Sequence, residues 1–189
     1  MKPVEVVEIK NIAEYELERK TLRPAMIALK DRRRVRVGDH LTFLFENRET
    51  VRYQIQEMMR IERMVEPDAI RHEVDTYNEL IPFSGELSAS LLIEYDSPEV
   101  RAVVLRDLLG LEEHISIAVG DLPPARARFD TRQISDDRIS AVQYVKFPLT
   151  PEQRARWKQG ARIVVDHPKY MAEAVLTPAQ LEELAKDFE

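Results

Sequence analysis

Between Glu49 and Pro82 the chain carries its strongest periodic signal. At about 100° per residue, Val51, Ile55, Met58, Ile61 and Val65 fall on one stripe, while Tyr53, Gln56 and Arg60 point away, which predicts a core-facing helix. Pro67 ends that helix and opens a second, because a proline at the first helical position gives up only an N–H that would be unpaired anyway. On the second helix Ile70, Val74, Tyr77 and Ile81 share one face, and Asp68, His72, Asp75 and Glu79 share the other. The expected unit is a helical hairpin with an apolar inside and an acidic outside, carrying one histidine. Glu62 projects into the middle of the apolar stripe, and Glu66 lies near its border. A carboxylate there needs a partner, since unpaired burial is costly or forces the neutral form. Glu62 is therefore expected to be buried and paired, with an arginine from another segment as the plainest partner.

Elsewhere the pattern alternates. Val35 and Val37, then Leu41, Phe43 and Phe45, predict a strand pair turning at Gly38-Asp39. Leu87, Ala89, Leu91, Ile93 and Tyr95 alternate with Ser88, Ser90 and Glu94 as a half-buried strand. Further strands are expected over His114–Val119 and Ile139–Phe147. A hairpin should join Ile163–Val165 to Ala172–Leu176, with His167 at the surface in its loop.

Asn11 and Glu14 have capping-box spacing and open a helix that Pro24 should interrupt, with helix resuming over Ala25–Asp31. Ser97-Pro98, Thr150-Pro151 with Gln153, and Thr177-Pro178 with Gln180 mark three more helix starts. Together these elements predict an α+β fold for residues 1–189 as a single domain, a mainly antiparallel sheet packed against the helical hairpin and additional short helices.

Composition narrows the chemistry. The 189 residues include no cysteine, which excludes disulfides, thiol catalysis and cysteine-held metal centres, so any divalent metal must rest on histidine and carboxylates. No apolar run approaches the length of a membrane span, and the N-terminus is too charged for a signal peptide, so the expected location is cytoplasmic with no membrane partner. A net charge of −6 weighs against nucleic acid as the main partner. No Walker or GxGxxG loop, GxSxG elbow, HExxH or ExxH pair is present.

Three candidate constellations remain. A ligand pocket is expected around Glu62, Arg60, Glu66, Glu73, Tyr77 and Asn78 of the hairpin. His72 with Glu66 and Glu73 offers a set suited to manganese, iron(II) or zinc, although a solvated helix face is the simpler account of His72. Arg32, Arg33, Arg34 and Arg36, expected at an exposed helix end, form a docking patch, and with Arg126, Arg128, Arg132 and Arg138 they carry a nucleic-acid reading that ranks third.

The stretches Arg34–Asp39, Leu44–Arg48, Gln54–Met58 with Arg60, Glu62 and Arg63, Tyr77–Pro82 and Gly85–Leu87 resemble a bacterial family, domain of unknown function 3501. The similarity is densest across residues 34–95. No activity or catalytic residue comes with it. What the resemblance implies is a neighbourhood, because such proteins are often encoded beside rubrerythrin-like and iron–sulfur oxidoreductase proteins. The expectation is an accessory or binding protein working beside a redox or iron-metabolism partner.

Overall fold

The structure, a computed structural model, describes residues 1–188. Its strands form two antiparallel sheets. In the first, β1 (Arg34–Val37), β2 (Leu41–Glu46), β3 (Glu86–Ile93), β7 (Val142–Pro148) and β6 (Arg128–Phe129) lie side by side in that order. In the second the order is β5 (Ala125–Arg126), β4 (Ile115–Val119), β8 (Ala161–His167) and β9 (Tyr170–Val175). Alternation decides what faces inward. Phe43, Phe45, Leu87, Leu91 and Phe147 of the first sheet share a continuous core with Ile115, Ile117, Ile163 and Val165 of the second.

Two ties close this sandwich. Tyr170 of β9 donates its hydroxyl to Val37 O (2.7 Å) and accepts from His40 N (3.0 Å), linking the edges β1 and β9. Trp157 is fully buried, and its indole N–H donates to Leu181 O at 2.9 Å. The turn between β1 and β2 needs Gly38, whose φ is +65° and where a Cβ would come 2.5 Å from the Tyr170 hydroxyl oxygen.

Helices cover the rest: α1 (Ile12–Arg32), α2 (Arg48–Glu62), α3 (Pro67–Asn78), α4 (Pro98–Asp107), α5 (Pro151–Arg156) and α6 (Pro178–Ala185). The Thr-Pro starts hold as expected, since Thr150 with Gln153 and Thr177 with Gln180 form reciprocal capping boxes. Helices α2 and α3 make the hairpin, with a separate small apolar cluster of Val51, Ile55, Met59, Val74, Ile81 and Val4 between them and the N-terminal segment.

Several local expectations give way. Pro24 does not break α1, which runs unbroken from Ile12 to Arg32. Only Tyr15 and Met26 of that helix are buried, so the proline ring faces water. Glu62 is exposed, as are Ile61 and Val65, because the buried face of α2 runs through Val51, Ile55 and Met59 and the helix ends at Glu62. Gln56, projected outward, is instead buried, accepting from Lys10 N (2.8 Å) and donating to Lys10 O (3.0 Å). His167 is the last residue of β8 and is buried, with Nε2 toward Leu109 O (3.1 Å) and Nδ1 accepting from Lys169 N (3.2 Å).

Candidate functional site

With Val145 and Phe147 of β7 turned into the sandwich, Tyr144 and Lys146 must stand on the opposite face of the sheet. Strand register extends them into rows. Glu46, Ser88, Lys146 and Arg128 are successive cross-strand neighbours, and so are Leu44, Ser90 and Tyr144. Helix α3 lies over these rows without touching down along their length. Its C-terminal end is pinned to the N-terminal segment, where Asn78 Oδ1 accepts from Val4 N (2.8 Å) and Nδ2 donates to Val4 O (2.9 Å).

The gap encloses a cavity of about 870 Å³. Tyr77, Leu80 and Phe83 line it from the helical side, and Ser88, Tyr144 and Lys146 from the sheet. That volume lies within the range of small-molecule sites, roughly 300–1,000 Å³.

Most of its charges are already engaged. Lys146 Nζ donates to Glu86 Oε1 (3.0 Å) and sits 4.7 Å from the centre of the Phe83 ring. Arg132 pairs with Asp130, its Nε lying 2.9 and 3.0 Å from the two carboxylate oxygens, and reaches across the mouth to Glu79. Arg128, Glu73 and Asp75 line the cavity with no ion pair among the described residues.

The ionisation of the lining follows from burial. Burial pushes the Glu73 carboxyl above its ordinary value, and the charge of Glu62 across the hairpin adds to this. Burial likewise raises Tyr77, helped by Glu73, Tyr144 and Glu62, and raises Tyr144, helped by Glu46 and Asp130. The helical side of the cavity therefore carries an excess of negative potential in a partly desolvated setting. Beside its floor, on the same face of the sheet, the buried Glu46 carboxylate accepts from Thr50 Oγ1 (2.5 Å) and Ser90 Oγ (2.9 Å).

Of the six hairpin residues grouped by sequence as a pocket, Glu73, Tyr77 and Asn78 line this cavity. Glu62 and Glu66 are exposed outside it, and Arg60 points to the other side of α2, toward Glu57 (3.3 Å) and Glu16 (3.7 Å). The metal set is not assembled: His72 lies exposed, and among the described residues no three His, Asp or Glu side chains are grouped so as to hold an ion. The arginine run divides. Arg32, Arg34 and Arg36 are exposed, but Arg33 is fully buried against Asp187 and Glu183, so the four do not form one docking surface. Ser88, Tyr144 and Lys146 were missed as cavity residues, and Arg128 was grouped only with the nucleic-acid reading. Polar positions alternating with apolar ones within a strand mark them as facing away from the core, but that signal does not say what stands opposite.

Among the described residues no helix is long and apolar enough to cross a membrane. The sequence pattern of a family described as protein of unknown function (DUF3501) matches residues 3–188. A crystal structure of a protein of unknown function from Burkholderia pseudomallei is similar, with a TM-score of 0.93 and 33% sequence identity over 100% of both chains. No curated protein matches the chain. Neither likeness supports the redox or iron-metabolism partner that the resemblance implied.

Proposed function

The chain belongs to the DUF3501 family, and from its own geometry we propose that it is a binding protein that holds a small organic molecule in the cavity between α3 and the outer face of the first sheet. The observation that carries this reading is the 870 Å³ gap itself. Helix α3, one wall of the space, is anchored to the N-terminal segment by Asn78 and to α2 by the small cluster around Val74 and Ile81. Its walls combine aromatic rings with a few charged groups, the pairing typical of pockets that bury an apolar body and orient it by a small number of polar contacts.

The reading is tested with Nile red, a neutral apolar dye whose emission rises on leaving water. Saturable binding to the parent is expected, together with its loss in Thr76→Trp. Thr76 is an exposed residue of α3 that lines the cavity and bonds only to its own helix, through Oγ1 to His72 O (2.8 Å). An indole there fills the space without entering either apolar cluster. Absence of binding, or binding undiminished in Thr76→Trp, would overturn the reading.

A further inference from the structure

The charges that line the cavity are not equivalent, and their differences point to the kind of molecule it takes. Lys146 is held by Glu86 and covered by the Phe83 ring, and Arg132 is held by Asp130 and Glu79. Arg128 is unpaired, but it stands exposed on the edge strand β6, where water solvates it. Glu73 is the exception. It is only partly accessible and makes no ion pair or hydrogen bond among the described residues, and after burial the charge that acts on it most is another carboxylate, Glu62, with His72 opposing it. Asp75 lines the same side and is also unpaired.

One turn along α3 from Glu73 stands Tyr77. Tyr144 rises from the sheet into the same cavity, close enough to help raise the Tyr77 hydroxyl. Tyrosine faces are electron-rich and attract cations, the more so where water is excluded. An unpaired, partly desolvated carboxylate beside two such rings is therefore matched by a positive group.

Resting on the binding reading above, we infer that the ligand is an organic cation, an amine or related group on an apolar body, with Glu73 receiving the positive charge and Tyr77 and Tyr144 flanking it. Burial holds Glu73, Tyr77 and Tyr144 above their ordinary values, so the anionic form of each would gain from a positive neighbour. Of the cations that an anionic ligand could meet, Lys146 is held by Glu86, Arg128 is exposed at the rim and the Met1 ammonium donates to Pro82 O (3.5 Å), and the same cavity is lined by the carboxylates Glu73, Asp75 and Glu79.

Titration calorimetry with 4-phenylbutylamine, 4-phenylbutanol and 5-phenylpentanoate, which share one phenylbutyl body, tests the assignment. The parent should bind the amine about tenfold more tightly than the alcohol, the size expected for one charge-assisted contact with aromatic support, and the carboxylate most weakly. Glu73→Gln should bring the amine down to the alcohol's affinity, whereas Glu73→Asp, which keeps the charge, should retain a preference for the amine. Asp68→Asn, on the exposed face of α3, should change nothing. Equal affinity for all three compounds, or an amine preference that survives in a folded Glu73→Gln, would overturn the assignment while leaving the cavity reading in place. Failure of all three to bind the parent would overturn both.

Discussion

Helix α1 is fastened near each end by arginines around carboxylates, and the two fastenings differ in their access to water. Near its start, Glu57 of α2 accepts from the Tyr15 hydroxyl (2.6 Å), from Arg19 (2.7 and 3.0 Å) and from Arg60 (3.3 Å). Just past its end, Arg33 donates to Phe45 O (2.9 Å), to Glu46 O (3.0 Å) and in two bonds to Asp187, with Glu183 at 3.6 Å. Arg33 and Asp187 are 0% and 1% exposed, whereas Arg19 and Glu57 keep 24% and 15%.

The same chemistry then gives opposite ionisation. Burial pushes Glu57 up, but Arg19, Tyr15 and Arg60 outweigh it and hold the carboxyl at about 2. Burial also pushes Asp187 up, and there the pull of Arg33 does not outweigh it, so Asp187 stays above its ordinary value. An ion cluster that keeps some water stabilises its charges, while a dry one mainly dictates which groups must meet. Because α1 buries only Tyr15 and Met26, both fastenings matter to its placement.

The contrast can be broken most sharply at the dry end. Arg33→Met should cost about 3–5 kcal/mol in urea unfolding, since it strands a buried carboxylate. Replacing Asp187 with leucine in the same chain should recover part of the loss, as it removes the stranded carboxylate while the Phe45 and Glu46 carbonyls still lack the Arg33 donors. The neighbouring Arg34→Glu, at an exposed side chain, should stay within about half a kcal/mol of the parent. Equal costs at the two positions would contradict the burial of Arg33.

The wetter end should respond less. Glu57→Gln is expected to cost about 1–2 kcal/mol, and Tyr15→Phe, which leaves the arginines in place, about 1 kcal/mol in the same assay. The sign of the pH effect sharpens the comparison. Glu57 has a folded value depressed from 4.5 to about 2, so its contribution is complete above about 4.5 and is lost as pH falls toward 2. Asp187 is shifted the other way, so ionising it costs stability as pH rises through its raised value. Urea midpoints between pH 4.5 and 2 should therefore fall less steeply in Glu57→Gln than in the parent, and parallel curves would count against the role given to Glu57. The smallest effect is expected at the cavity mouth. Arg132→Gln breaks an exposed bridge to Glu79 and should leave Tm unchanged by calorimetry.

Much of the architecture was legible because it rests on local rules. The every-second-residue spacing of Leu41, Phe43 and Phe45 and of Leu87, Ala89, Leu91 and Ile93 identifies the inner face of the first sheet, and the caps at Asn11, Thr150 and Thr177 locate helix starts from residues only three apart. The hairpin turning at Pro67 was legible for the same reason, as was half of its pocket set, Glu73, Tyr77 and Asn78, which share the helix end that faces the sheet.

What the sequence by itself determined is thus the direction in which each side chain leaves its own element. What only the tertiary structure decided is what waits there. Glu62 and Glu57 are both carboxylates on α2, yet one meets solvent past the last covered turn and the other meets Tyr15 and Arg19 of α1. Arg33 and Arg34 are adjacent and chemically identical, but Arg33 finds Asp187 from the far end of the chain while Arg34 faces water. The cavity has the same origin. Periodicity puts Tyr77 on one face of α3 and Tyr144 on the face of β7 away from the core, but that the two line one cavity follows from how α3 sits over the sheet, which no local pattern encodes.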